Sequence, residues 1–159
     1  MRKLFALCCY LILAALGLSA YAGEAKSPTS ELARQLEQHS GKIIYLDFWA
    51  SWCGPCRKSF PWMSQMQAQY QQQGFVVLSV NLDHNKKFAD EFLQQVPADF
   101  PVIYDPRGEL MKQYKIKGMP SSYLFDRSGK IISRHAGFSE EKMPAYEQDI
   151  RNALASSGE

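Results

Sequence analysis

Cysteine and histidine are scarce in this sequence, and their scarcity restricts the chemistry that the chain can carry. The 159 residues include four cysteines and three histidines. Cys8 and Cys9 lie in an apolar N-terminal run, which leaves Cys53 and Cys56 for the rest of the chain. A structural zinc site needs four ligands, and the histidines lie in unrelated segments, so we predict no metal site. Binding of Cu(I) by the two thiols stays open, because thiolates are soft ligands.

The sequence also lacks an excess of charge of either sign. Arg2 and Lys3 account for the formal net charge of +2, because the other 16 basic residues match the 16 acidic ones. We therefore predict no nucleic-acid partner. There is no internal repeat and no low-complexity tract. Hydrophobic residues make up 46% of the chain and charged residues 21%, which is typical of a folded globular domain.

The first 22 residues have the pattern of a secretory signal peptide. Two basic residues precede an apolar run from Leu4 to Leu18, and Ala20-Tyr21-Ala22 matches the small-x-small motif that precedes cleavage. We predict a signal peptide at 1–22 and one domain at 23–159, located in the periplasm or secreted. The alternative is that the segment is not cleaved and anchors the chain in a membrane.

The predicted order of helices and strands indicates an α/β fold. The apolar runs 42–50 and 75–83 have the β-branched and aromatic content of strands buried on both faces. Helical spacing of apolar residues predicts helices between the strands, and a turn at 126–129 predicts a closing hairpin. The order is αβαβαβαββα, which predicts a mixed sheet flanked by helices. We expect Thr29 or Ser30 to cap the first helix.

Cys53 and Cys56 flank Gly54-Pro55 at the predicted junction of a strand and a helix. A helix N-terminus offers free N–H groups and the positive end of the dipole, so it lowers a cysteine pKa from about 8.5 to between about 3.5 and 7.5. We predict that Cys53 is the exposed nucleophile and that a buried Cys56 resolves the mixed disulfide. A purely structural disulfide over so short a loop would restrain little of the unfolded chain.

Two segments, LDFWASWCGPC and KGMPSSYLFD, resemble the thioredoxin superfamily. The longer stretch FPVIYDPRGELMKQYKIKGMPSSYLFDRSGKI is similar to the extracytoplasmic TlpA/ResA-type thiol-disulfide oxidoreductases. The resemblance covers roughly 42–155 and implies a thioredoxin-like fold with one helix and one strand inserted between Leu82 and Met119. It also implies that Pro120 is cis beside the disulfide and that the Met119 backbone pairs with an extended substrate. Alternatively, Met119 only fills the core.

The resemblance further implies roles for Asp47 and Trp52. Asp47 matches a buried aspartate beneath the disulfide, where a carboxyl group of raised pKa can relay a proton. Alternatively, Asp47 is a polar residue near the end of the sheet that only forms hydrogen bonds with its neighbours and has no part in the reaction. Ser79 stands where thioredoxin usually has a lysine near this aspartate. Trp52, together with Gly54 and Pro55, would lie at the surface and contact the partner.

These features predict an enzyme that exchanges thiols and disulfides in partner proteins and needs no cofactor. Neither Gly54 nor Pro55 brings a charge to the thiolate, so we predict a reductase of low potential. In an oxidising compartment, such a protein needs a membrane partner that supplies electrons. We expect a monomer. The alternatives are a disulfide oxidase or isomerase, and a copper carrier without turnover.

Overall fold

Helices and strands alternate through most of the chain. The computed structural model describes residues 27–156, so the predicted signal peptide lies outside the described residues. The elements are α1 Pro28–Gln38, β1 Ile43–Trp49, α2 Gly54–Tyr70, β2 Phe75–Asn81, α3 Lys86–Gln95, β3 Val102–Tyr104, α4 Glu109–Gln113, β4 Ser121–Phe125, β5 Ile131–Ala136 and α5 Met143–Ala155. This order confirms the predicted one. The inserted helix and strand are α3 and β3.

Five strands form one mixed sheet in the order β3-β2-β1-β4-β5. The first three strands in this order are parallel, whereas β4 runs antiparallel to β1 and β5 antiparallel to β4. Every residue of β1 and β2 is buried, as expected for central strands covered by helices on both faces. The predicted thioredoxin-like α/β fold is confirmed.

The sheet separates two apolar clusters. Tyr45 and Trp49 of β1 pack with α2, α3 and α5 on one face, whereas Leu46 and Phe48 pack with α1 and α4 on the other. Because side chains alternate along a strand, Asp47 shares the face of Tyr45 and Trp49. That face is covered by α2, the helix that begins immediately after Cys53.

The predicted cap of the first helix is wrong by two to three residues. Ser27 caps α1, and its Oγ accepts the N–H of Ser30 at 3.1 Å. Pro28 is the first residue of the helix, a position where its missing N–H and fixed φ are favourable. The Ser-Pro pair therefore sets the start of the helix ahead of Thr29.

Candidate active site

The two cysteines lie where β1 passes into α2. Cys53 has an extended backbone and is the N-cap residue of α2, and its Sγ accepts the backbone N–H of Cys56 at 3.2 Å. Cys53 and Cys56 form a disulfide with their Cα atoms 5.3 Å apart. Pro55 occupies the first turn of the helix, where no intrahelical acceptor exists for an N–H. The sequence thus folds a redox-active pair onto a helix N-terminus.

The accessibility of the two cysteines differs from the prediction in degree. Cys56 is fully buried, as predicted, and Cys53 is the more accessible of the two. However, only 5% of Cys53 is exposed, so this residue is nearly buried rather than exposed. The reason is that its Sγ turns back over the helix start, where it bonds to Cys56 and accepts a backbone N–H.

Asp47 is a buried carboxyl group on the sheet face that α2 covers. It is 2% exposed, and its Oδ2 atom has no hydrogen-bond partner among residues 27–156. Burial raises its pKa well above the ordinary aspartate value. The strand register sets Asp47 opposite Ser79, as inferred from the sequence, and the Ser79 Oγ donates to the Pro101 carbonyl at 3.2 Å. No lysine therefore balances the Asp47 carboxyl from that strand position.

The loop before β4 carries a cis peptide bond between Met119 and Pro120, which confirms the predicted isomer. Pro120 is buried, and its carbonyl accepts the N–H of Gly137 at 2.8 Å. Met119 is partly buried and packs against both apolar clusters. Within the described part of the chain, the N–H and C=O groups of Met119 have no hydrogen-bond partner. They are available to an extended segment from outside.

A family model described as Redoxin matches residues 24–154, nearly the whole of the chain beyond the predicted signal. The chain belongs to the redoxin family. Among curated relatives, ResA of Bacillus thuringiensis subsp. konkukian, a thiol-disulfide oxidoreductase, is 32% identical over 117 residues, covering 73% of this chain and 68% of the relative. ResA of Oceanobacillus iheyensis is 34% identical, covering 73% of this chain and 61% of the relative.

Solved structures agree with this family. A protein from Chlorobium tepidum assigned as the thiol:disulfide interchange protein DsbE is 54% identical, with a TM-score of 0.73, and the match covers 75% of this chain and 84% of that one. StoA from Bacillus subtilis is 30% identical, with a TM-score of 0.57, covering 66% of this chain and 82% of StoA. Together with the Cys53–Cys56 disulfide, these likenesses identify this redoxin as a TlpA/ResA-like thiol-disulfide oxidoreductase.

The loop between β1 and the cysteines is held by a residue that the sequence analysis missed. Asp83 is buried, and its two carboxylate oxygens accept the N–H and the O–H of Ser51, each at 2.9 Å. Asn81 donates to the same carboxylate at 2.8 Å. Trp52, the next residue of this loop, is 73% exposed, as predicted, whereas Trp49 is fully buried. The available signal was a polar residue at the end of the apolar run 75–83, because parallel strands end at a common edge of the sheet.

A row of polar side chains extends from Asp47 across the sheet of this redoxin. The strand registers set Asp47 opposite Ser122, and Ser122 opposite His135. The Ser122 Oγ donates to the Tyr45 Oη at 2.6 Å, and the His135 Nε2 lies 2.8 Å from an Asp149 carboxylate oxygen. All three members of the row are buried. The sequence analysis did not single out Ser122 or His135, since nothing local shows the strand register.

The described residues carry little that would support metal binding. Between residues 27 and 156, no three or more side chains of histidine, cysteine, aspartate and glutamate form a group that could hold a metal ion. Over the same range, no helix is long and apolar enough to cross a membrane.

Proposed function

We propose that this redoxin works outside the cytoplasm as a reductase of disulfides in partner proteins. The observation that carries the proposal is the position of Cys53 as the N-cap residue of α2, with its Sγ on the N–H of Cys56. In the reduced enzyme, the same N–H and the helix dipole would stabilise a thiolate at Cys53. Export through a cleaved signal at 1–22 would place that thiolate among substrates that contain disulfides.

The reaction moves two electrons from the enzyme dithiol to the substrate disulfide. The Cys53 thiolate attacks one substrate sulfur, which forms a mixed disulfide and releases the other substrate sulfur as a thiolate. Cys56 then loses its proton and attacks the Cys53 sulfur. This step releases the second substrate thiolate and leaves the Cys53–Cys56 disulfide, the form that the structure shows.

We assign Asp47 as the base that accepts the proton of Cys56. The carboxyl lies on the sheet face that α2 covers, and its raised pKa makes the ionised form a stronger base than an ordinary aspartate. Its Oδ2 has no partner among the described residues, so it is free to accept a proton. The same group would return that proton when the disulfide is reduced again.

Substrate contacts are assigned to the surface around the disulfide. The unpaired backbone groups of Met119 suit the addition of an extended substrate strand, in which main-chain hydrogen bonds give affinity. Trp52 offers an exposed aromatic face next to Cys53 in the chain. Gly54 and Pro55 are small and would let a partner approach the sulfur atoms. The cis Pro120 would complete this surface beside the disulfide.

We infer the reducing direction from the residues between the cysteines, which add no charge to the stabilisation that the helix N-terminus gives the thiolate. Gly54 and Pro55 bring no charge, and the Arg57 guanidinium instead lies over the Phe92 ring, 4.9 Å from its centroid. Weak thiolate stabilisation disfavours the reduced enzyme, so the dithiol gives up its electrons readily. A reductant of this kind needs resupply, which we assign to a membrane electron-donor protein. We propose that the enzyme acts as a monomer.

The redox potential tests this proposal. The domain is equilibrated with glutathione buffers of known ratio, and the oxidised fraction is measured by thiol labelling. We expect a potential near that of reducing thioredoxins, about −270 mV. A value well above about −180 mV, the region of disulfide isomerase, would contradict a reductase and favour an oxidase or isomerase. Failure to reduce insulin disulfides with both cysteines intact would favour the copper carrier.

A further inference from the structure

A groove of about 810 Å³ is lined in part by residues of α4 and of the segments on either side of it. Trp52 and Met119 belong to its lining, and the segment 106–118 supplies much of the remainder. Its volume lies in the range of sites that hold ligands, about 300 to 1,000 Å³. The groove therefore includes the chain neighbours of Cys53 and of the cis Pro120, together with residues that the proposed reaction does not use.

The floor of the groove is apolar and open to solvent. Leu82, Pro106 and Ile116 contribute to the lining, and Met111 is 43% exposed there. Trp52, at 73%, has the largest exposed fraction among the large hydrophobic side chains of the described chain. A set of exposed apolar side chains around a concave surface is typical of an interaction site. An occupant would bury this surface with a favourable hydrophobic free energy.

The rim of the groove is basic. Lys112, Lys115 and Lys117 line it, and none of them forms an ion pair or hydrogen bond through its side chain within residues 27–156. Arg107 also lines it, but its guanidinium pairs with Glu109 at 2.6 Å. No acidic residue is part of the described lining. The chain as a whole is nearly neutral, but this groove carries an excess of positive charge, because three free ammonium groups line it together with the apolar side chains.

The nearby carboxylates are engaged elsewhere. Asp105 is buried, and its two oxygens accept the backbone N–H groups of Glu109 at 2.7 Å and Met111 at 3.0 Å. Asp83 is likewise buried and holds the loop before the cysteines. These carboxylates fix the backbone that forms the groove rather than neutralising its rim. The shape of the groove exists before any partner binds.

The backbone at the centre of the rim is held in an unusual conformation. Lys115 has a φ of 55°, a left-handed value that is uncommon for residues other than glycine. The next residue, Ile116, donates its N–H to the Met111 carbonyl at 2.9 Å and is buried. The turn therefore buries Ile116 and leaves the neighbouring lysines at the surface. Such conformations cluster at ligand-binding sites.

We propose that this groove binds an acidic, apolar-containing segment of the partner protein, next to the cysteine that the enzyme attacks. Charge complementarity selects acidic residues for the rim, and the apolar floor selects large hydrophobic side chains between them. The free backbone groups of Met119 align the same extended segment with the disulfide. This inference rests on the proposed function and names the class of substrate. A flat anionic membrane would not fill a concave floor.

The test compares short single-cysteine peptides whose flanks alternate leucine with glutamate, glutamine or lysine. Each peptide is blocked as a neutral mixed disulfide with 2-mercaptoethanol. The enzyme is first reduced with dithiothreitol and separated from it, and the second-order rate constant for its single-turnover oxidation by each peptide is measured at low and high ionic strength. We expect the glutamate peptide to exceed the lysine peptide by roughly tenfold or more at low salt, and salt to reduce the ratio. Equal rates for all three peptides, or a preference for lysine, would overturn the inference.

Charge-reversal variants test whether the groove lysines cause the preference for the glutamate peptide. In Lys112→Glu/Lys117→Glu, the ratio of glutamate to lysine peptide should fall to one or invert, with the glutamine peptide measured on the same variant as the reference for folding. Lys42→Glu/Lys130→Glu is the matched control, because both lysines are exposed and lie outside the groove lining. It changes the net charge equally and should keep the preference. If both double variants lost the preference for the glutamate peptide equally, a site specific to the groove would be contradicted.

Two further outcomes separate this inference from its alternatives. If the enzyme reduces neither the peptides nor bis(2-hydroxyethyl) disulfide, the proposed reductase function fails, whereas reduction without peptide preference overturns only the groove assignment. Vesicles of phosphatidylglycerol are tested in parallel by flotation. Vesicle binding that Lys112→Glu/Lys117→Glu abolishes, with no peptide preference, would overturn the inference in favour of a membrane surface.

Discussion

At the scale of single residues, the ionisation of Asp47 is linked to the stability of the fold. Its carboxyl is buried without a cation opposite it, and burial holds its pKa well above that of the unfolded chain, about 3.9. The folded state therefore binds a proton that the unfolded state has lost. Consequently, Asp47 reduces the free energy of unfolding as pH rises from about 4 towards its raised pKa.

Asp47→Asn should remove this pH dependence. In the wild type, the contribution of Asp47 lowers the free energy of unfolding by at most about 1.4 kcal/mol per pH unit, whereas the neutral amide contributes no slope. Urea unfolding of the oxidised proteins across this pH range measures the difference, and the variant should be the more stable protein at high pH. Parallel stability curves for the two proteins would contradict the assignment.

Asp126→Asn is the control of opposite sign. Hydrogen bonds from the side chain of Ser128 and the backbone of Lys130 lower the pKa of Asp126. A lowered pKa contributes stability that is present above the unfolded value and is lost as pH falls through the folded value. The Asp126 variant should therefore be less stable than the wild type at neutral pH. A stability gain at neutral pH in both variants would indicate an effect of net charge rather than burial.

At the scale of elements, an aromatic cluster joins the inserted helix α3 to the strand that leads to the cysteines. The Phe92 ring lies 4.7 Å from the Trp49 ring and 5.0 Å from the Phe60 ring, measured between centroids. Phe60 belongs to α2 and also contacts Phe100, which follows α3. The insertion therefore supports the end of β1 and the helix that carries the disulfide.

Two phenylalanines of α3, one buried and one exposed, test whether the aromatic cluster holds this helix in place. Phe92→Ala should lower the free energy of unfolding by about 3 to 5 kcal/mol, because a buried ring leaves a cavity among other rings. Phe88→Ala should change it by less than about 0.5 kcal/mol, since Phe88 is 53% exposed on the same helix. Chemical denaturation measures both. Similar losses for the two variants would mean that the cluster does not hold α3.

The elements could be predicted because their signals are local. The spacing of Phe60, Met63 and Met66 marks one face of α2, and all three are buried. Contacts between distant segments could not be predicted in the same way. The exposure of Phe88, the loop held by Asp83 and the near-burial of Cys53 each depend on how elements pack. The sequence places the two cysteines in one motif but not the side chains that support them.

At the scale of the whole molecule, the basic groove is lined by Trp52 and Met119, the chain neighbours of Cys53 and of the cis Pro120. The parallel strands β1 and β2 end at a common edge, and the chain after each of them supplies residues to it. The segment 105–119 adds the lysines, and the cis bond at Pro120 leads into β4. The overall composition is nearly neutral, whereas this groove is basic, a difference that composition alone could not reveal.

In the proposed mechanism, Cys53 is the nucleophile and Cys56 the resolving thiol. Its most direct test is to mix Cys56→Ser with a disulfide-containing protein substrate and to look for a covalent adduct by mass spectrometry, with Cys53→Ser as the matched control. Cys56→Ser should accumulate a mixed disulfide at Cys53 that dithiothreitol releases, whereas Cys53→Ser should form no adduct and have no activity. Normal turnover by Cys56→Ser, or an adduct formed by Cys53→Ser, would contradict it.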